Sequence, residues 1–378
     1  MEYSVFKGCR LPKLGFGTMR LPLMEDGSID TAQVDRMVDA ALAGGVNYFD
    51  TAWPYHEGRS ESVIGRSLGR YPRESWYLAD KFPGHQNASS YDPAGIFEAQ
   101  LKKCGVDHID FYLLHNVYEK SAGVYLDPRW GIGDYFLEQK RLGRIRHLGF
   151  STHAEPDALE AFLDTELGRQ MEFCQIQLNY MDWKMQDAES KVRILNERGI
   201  PIWVMEPLRG GLLARNGSVE DAFRWIAEIP GVIMILSGMS DMAQMQDNIG
   251  IFNRLEPLDD ARRSELYALA EKISGNVPCT ACRYCCDGCP VELDIPSLIR
   301  SYNDFRTSFS FTPLMKVESL PAEKRPSACL GCGACARICP QGIDIPGVMA
   351  DFAQRLAAVP SWEEICRRRA AAAEALEK

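Results

Sequence analysis

Ile109-Asp110-Phe111-Tyr112-Leu113-Leu114-His115 is a strand-length apolar run that closes on a histidine. The segment before it, Pro93–Cys104, carries apolar residues at helical spacing, and the same alternation extends in both directions. Upstream, Leu14–Thr18, Asn47–Asp50 and Trp76–Ala79 read as short buried strands; downstream, His147–Phe150, Cys174–Leu178, Ile202–Met205 and Val232–Leu236 do the same. Helical spacing fills the intervals, as in Thr31–Ala43, Glu61–Leu68, Pro156–Leu167, Ala188–Arg198 and Asp241–Phe252, often behind an Asp, Ser or Thr cap. Eight such strand-then-helix units between Leu14 and Leu255 predict an α/β fold of the (β/α)8 TIM-barrel type. A doubly wound sheet would need a switch point and usually has fewer strands. Ahead of the first unit, Val5–Leu11 reads as a β-hairpin turning at Lys7-Gly8 and plugging one end of the barrel.

The pattern changes after Leu255. A helix from Glu256-Pro257 to about Ser274 leads into Cys279-x2-Cys282-x2-Cys285-x3-Cys289-Pro290, which recurs fifty residues on as Cys329-x2-Cys332-x2-Cys335-x3-Cys339-Pro340. This spacing is that of a protein holding two [4Fe–4S] clusters, in which the fourth cysteine of each run ligates the other cluster. The expected sets are Cys279, Cys282, Cys285 with Cys339, and Cys329, Cys332, Cys335 with Cys289. A zinc site needs only four ligands and leaves the Cys-Pro endings unexplained. Residues 1–256 are thus expected to form the barrel, and 257–378 a linker helix and a smaller, mostly helical ferredoxin-like domain. Small ferredoxins place their runs closer together, so Tyr302–Phe311 is expected to dock on the barrel or cover a cluster.

The chain has 378 residues and a net charge of −10, which argues against a nucleic-acid partner. Its one dense basic cluster, Arg367-Arg368-Arg369, reads as the solvated face of a terminal helix. The first residues lack a secretory pattern, and no apolar run is long enough to span a bilayer. Free thiols at Cys9, Cys104, Cys174 and Cys366 fit a reducing cytoplasm, and Cys286 reads as a spare thiol.

Catalytic groups of such barrels stand at the C-terminal ends of the strands. Asp50 ends the second, Tyr55 follows in its loop, Lys81 ends the third and His115 the fourth. Singly, each has a plainer reading: a structural ion pair, a loop aromatic, a strand-end histidine. Together they resemble the tetrad of the aldo-keto reductase family. The resemblance covers roughly residues 4–255, and Gly15-Phe16-Gly17-Thr18, Gly149-Phe150-Ser151, Gln175, Pro207-Leu208 and Asp247-Asn248 support it. It implies hydride transfer between a nicotinamide and a small carbonyl or alcohol, with Tyr55 as the general acid, Lys81 and Asp50 stabilising its anion, and His115 orienting the carbonyl. It also implies cofactor contacts from Gly17, Thr18, Met19, Asp50, Ser151 and Gln175, from Met205, Pro207, Leu208 and Arg209, and from Gly238, Gln244, Asp247 and Asn248.

The chain departs from the family in two places. Met205-Glu206 stands where an aromatic residue stacks on the nicotinamide, and no Lys or Arg occurs from Leu236 through Ile251 to clasp a 2′-phosphate. The cofactor is therefore expected to be NAD(H) or NADP(H) without a marked preference for NADP(H). Arg209 reads equally as a pyrophosphate ligand and as a surface residue. Trp53 and His56, flanking Tyr55, are the pocket candidates, while Arg20, His85, Tyr91, Trp130, His153 and Tyr180 read as loop residues. Hydride chemistry moves two electrons and a cluster passes one. The leading reading is an oxidoreductase whose clusters relay electrons to or from a soluble carrier. The alternative is an electron-transfer protein whose barrel is a docking platform or binds a different redox group such as flavin.

Overall fold

The computed structural model describes residues 1–307 and 311–377. The chain opens with an antiparallel hairpin of β1 (Tyr3–Phe6) and β2 (Cys9–Pro12). Lys7 and Gly8, at φ 45° and 87°, form its left-handed two-residue turn. Eight parallel strands then close into a barrel: β3 (Leu14–Gly17), β4 (Tyr48–Asp50), β5 (Tyr77–Phe82), β6 (Ile109–Leu114), β7 (Ile145–Thr152), β8 (Cys174–Gln177), β9 (Ile202–Met205) and β10 (Val232–Ser237), which pairs with β3. Both faces of such strands are covered, so they read as continuous apolar runs; β6 is buried at every position. Phe6 of the hairpin packs on Trp203 at 5.3 Å and with Phe111 and Phe173, closing the N-terminal end of the barrel.

Two strands run further than their apolar residues suggest. β5 continues through Asp80 and Lys81 to Phe82, and β7 begins at Ile145 and reaches Thr152. Lys81 therefore lies inside the barrel wall rather than at a loose strand end.

Beyond the barrel, the helices Asp260–Ser274, Phe311–Ser319 and Trp362–Glu377 place Leu266, Leu314 and Trp362 in the barrel's own hydrophobic cluster. The helices Ile295–Thr307 and Ile345–Ala357 build a second cluster around Leu298, Met349 and Phe352, beside the cysteine runs. The aromatic insertion reaches the barrel at one end and the second hydrophobic cluster at the other. Tyr302 stacks edge-on against Phe352 at 5.5 Å, whereas Phe311 faces Trp362 at 6.1 Å on the barrel side; residues 308–310 of this segment lie outside the described ones.

Charged groups tie this unit to the loops above β7, β8 and β9. Arg209 donates to both Asp182 and Asp304, with Gln186 Nε2 donating to Asp304 at 3.0 Å. Glu155 accepts from Arg300 and Lys316; burial pushes its carboxyl up, but the two cations pull it down to about 2. The cysteine-bearing unit is thus held against the C-terminal face of the barrel, where strand-end chemistry sits. Among the described residues no helix is long and apolar enough to cross a membrane.

Candidate active site and cysteine cavities

Asp50 pairs in register with Ala79, so Lys81, two residues further along β5, projects on the same face and reaches back. Its Nζ donates to Asp50 Oδ1 at 2.5 Å and to the Thr51 carbonyl at 2.7 Å, and stands 3.5 Å from the Tyr55 hydroxyl. Gln175 Nε2 donates to the other Asp50 oxygen at 3.4 Å. Lys81 is 1% exposed. Burial alone would discharge it, but Asp50 and Tyr55 outweigh that and raise its pKa, so the ammonium persists.

Tyr55 opens a tight turn, Tyr55–Gly58, in which His56 and Glu57 take left-handed backbone at φ 51° and 58°. Non-glycine residues pay for this geometry, and such strain gathers at functional sites. Asn116, Glu206 and Arg209, in the loops after β6 and β9, share it. Burial raises the Tyr55 pKa, with Lys81 pulling against it. His115 follows β6 and lies edge-on to Tyr55 with ring centroids 6.1 Å apart. Burial first, then His85 and Lys81, hold its pKa well below the ordinary value, so it is a neutral imidazole. The four expected residues therefore converge.

From this point a groove of about 760 Å³ runs outward across β8, β9 and β10. Gly17, Met19, Asp50, Gln175 and Met205 line its inner part; Pro207, Leu208, Gly238, Gln244, Asp247 and Asn248 continue it. Three of the expected contact residues do not line this groove. Thr18 is fully buried and spends its hydroxyl on the Asp50 carbonyl and Ser60. Ser151 is buried and accepts from the Asn116 amide at 2.8 Å. Arg209 turns away into its pair of carboxylates.

The groove also has cations that no sequence window brought together: Arg20, Arg215 and Arg254. Arg254 comes from just past the arginine-free segment and approaches Glu220 at 3.4 Å. The shortage of positive charge for a phosphate is therefore a property of the segment and not of the groove.

The pocket candidates Trp53 and His56 do not line this groove, and two other readings also change. Trp53 packs under Lys103 Nζ at 3.7 Å and His56 Nε2 accepts from the Leu21 amide at 3.1 Å, so both brace the Tyr55 turn. His85 instead is buried against His115, with centroids 4.3 Å apart. Arg369, expected on a solvated face, is half-buried and packs on Phe311 and Trp362. One signal for it was present: Trp362, Cys366 and Arg369 follow helical spacing on the buried side.

The cysteine runs fold around two separate cavities. Cys279, Cys282, Cys285 and Cys339 line one; Cys329, Cys332, Cys335 and Cys289 line the other. The remaining lining is mostly apolar, and the Leu293 amide donates to Cys289 Sγ at 3.4 Å. Among the described residues no three His, Cys, Asp or Glu converge closely enough for a single ion. A cubane carries its own sulfides and needs thiolates spread around it, which this arrangement provides.

The Aldo/keto reductase family model matches residues 13–222. The chain belongs to the aldo/keto reductase family. It is an oxidoreductase of that family, and a 4Fe-4S dicluster domain matches residues 278–343. An uncharacterised oxidoreductase of Bacillus subtilis is 28% identical over 59% of this chain and 71% of its own length. The NADH-specific methylglyoxal reductase of Escherichia coli is 27% identical over 54% of this chain and 65% of its own length. Among solved structures, an aldo-keto reductase of Bacillus halodurans in its holo form is 24% identical over 69% of this chain and 93% of its own, with a TM-score of 0.56, a likeness of fold. In aldo/keto reductase terms, the dicluster unit and the terminal helix lie over the barrel mouth, where the loops that shape a substrate pocket stand.

Proposed function

We propose that the barrel reduces small aldehydes or ketones, or oxidises the corresponding alcohols, with NAD(H) or NADP(H) lying in the groove. The observation that carries this is Lys81 Nζ, shared between Asp50 and Tyr55 beside a neutral His115 at the head of that groove. A bound nicotinamide would supply the hydride. His115 donates a hydrogen bond to the carbonyl oxygen and fixes its direction. Tyr55 gives its proton to that oxygen as charge develops, and Lys81 stabilises the phenolate left behind. Asp50, held by Gln175, keeps the ammonium in place. Arg215 and Arg254 offer charge for a 2′-phosphate. Similar proteins are described as NADH-specific and as NADPH-dependent, which supports both cofactors.

In this reading residues 1–256 are the catalytic barrel and 257–378 the linker helix and dicluster unit. Each cysteine cavity would hold one [4Fe–4S] cluster with the crossed ligand sets, and a cluster there would supply one-electron transfer. A hydride carries two electrons, so clusters held by these cysteines would exchange single electrons with a soluble carrier, apart from the hydride transfer.

The test is Tyr55→Phe. Carbonyl turnover is expected to fall by at least ~10²-fold, with nucleotide binding and iron content unchanged. Turnover within a few-fold of the parent would remove Tyr55 as the acid.

A further inference from the structure

Resting on the reductase reading, we propose that Arg369 anchors a carboxylate on the carbonyl substrate, so that the preferred substrates are oxo acids. The helix Trp362–Glu377 carries three successive arginines with two different fates. Arg367 and Arg368 both pair with Glu364. Arg369 points the other way. It is held between the rings of Phe311 and Trp362, at 5.2 and 5.4 Å, and among the described residues it has no carboxylate partner.

The rings beneath it lead to the tetrad. Trp362 stacks on His85 at 5.9 Å, His85 packs on His115 at 4.3 Å, and His115 meets Tyr55 at 6.1 Å. The same helix rests on the Tyr55 turn, where Leu376 lies 3.5 Å from the place a side chain on Gly58 would occupy. The charge of Arg369 is felt at Tyr55, His85 and His115.

Among the described residues no carboxylate neutralises that charge. Asp50 is committed to Lys81, and Glu206 to Arg20 and the Gly210 amide. The facing imidazoles are neutral: burial takes His85 and His153 down to about 3, and His115 also lies well below its ordinary value. The Nδ1 atoms of His85, His115 and His153 are buried without a hydrogen-bond partner. Partial burial of an unpaired guanidinium is costly, and unsatisfied polar atoms add to that cost. A carboxylate neutralises the guanidinium, whose planar fork matches its two oxygens. The reaction stays balanced: hydride goes to the carbonyl carbon, the Tyr55 proton goes to its oxygen, and the carboxylate is unchanged.

The experiment compares succinic semialdehyde with butanal, and 4-carboxybenzaldehyde with benzaldehyde, on the full-length protein with its clusters. The parent is expected to favour the carboxylated member of each pair in kcat/KM by about 30-fold or more. Arg369→Gln should collapse that ratio toward one, and Arg369→Lys, which keeps the charge but loses the fork, should retain part of it. No preference in the parent, or a ratio that Arg369→Gln leaves intact, overturns the anchor. If none of the four aldehydes is turned over, the reductase reading falls by itself and calorimetry with butyrate decides the anchor. Binding to the parent that Arg369→Gln abolishes sustains it; absent binding, or binding that the variant leaves equal, overturns it.

Discussion

Tyr55 acts as an acid only while its proton stays on, and two neighbours set the range over which it does. Burial raises its pKa above the ordinary value near 10, and the ammonium 3.5 Å away pulls back without cancelling that rise. The protonated form is therefore lost only as pH climbs through a value higher than that of free tyrosine. His115 is shifted the opposite way, so it remains neutral below the ordinary histidine value. Carbonyl reduction is expected to be flat from about pH 6 to about pH 9 and to decline above that range. The measurement is kcat against pH in the reductive direction at saturating nucleotide. An acid limb centred near 6.5 would show that His115 titrates as an ordinary histidine and would contradict this arrangement. The tetrad was legible in the sequence because strand ends determine which side chains converge. His85 was not, because a loop residue three positions beyond a strand carries no periodicity to say which way it turns.

Packing between elements transmits to the site through few contacts. The helix Ser60–Leu68 lies so close to Cys104 that a Cβ on Gly65 would fall 2.4 Å from the Cys104 carbonyl oxygen and 2.5 Å from its Cα, both backbone atoms. On the same helix Glu61 accepts from Gln100 Nε2 at 3.1 Å, and that amide also donates to the Lys81 carbonyl at 3.1 Å. Gly65→Ala must push the helix away from Pro93–Cys104, at a cost of about 1–3 kcal/mol. The expected result is a lower urea midpoint with an unchanged slope, together with a reduced kcat from displacement of Lys81; a midpoint equal to the parent's would mean that the helices separate freely. The strands themselves were readable because burial on both faces demands an apolar run. The end of β5 was not, since Asp80 and Lys81 interrupt that run while remaining fully inside the wall.

Across the whole molecule, contacts between distant residues decide what the barrel mouth looks like. Arg209 meets Asp304 and Trp362 meets His85, and no local pattern announces either pairing. The cysteine runs are the exception, because their spacing itself encodes a long-range exchange, and the fold places Cys339 with the first run and Cys289 with the second. Paired substitutions test that exchange more sharply than single ones. If Cys339 serves the first run's cluster, Cys279→Ser with Cys339→Ser strikes one cluster twice, and iron should fall only from about eight to about four per chain. Cys335→Ser with Cys339→Ser strikes both clusters, and iron should approach zero. Non-additivity in the first pair and additivity in the second is the signature of shared and separate sites. Iron analysis with electron paramagnetic resonance of the reduced protein reads both outcomes. The reverse pattern, with the 335/339 pair sparing one cluster, would mean that each run closes on itself and that the two cavities do not exchange their fourth ligands.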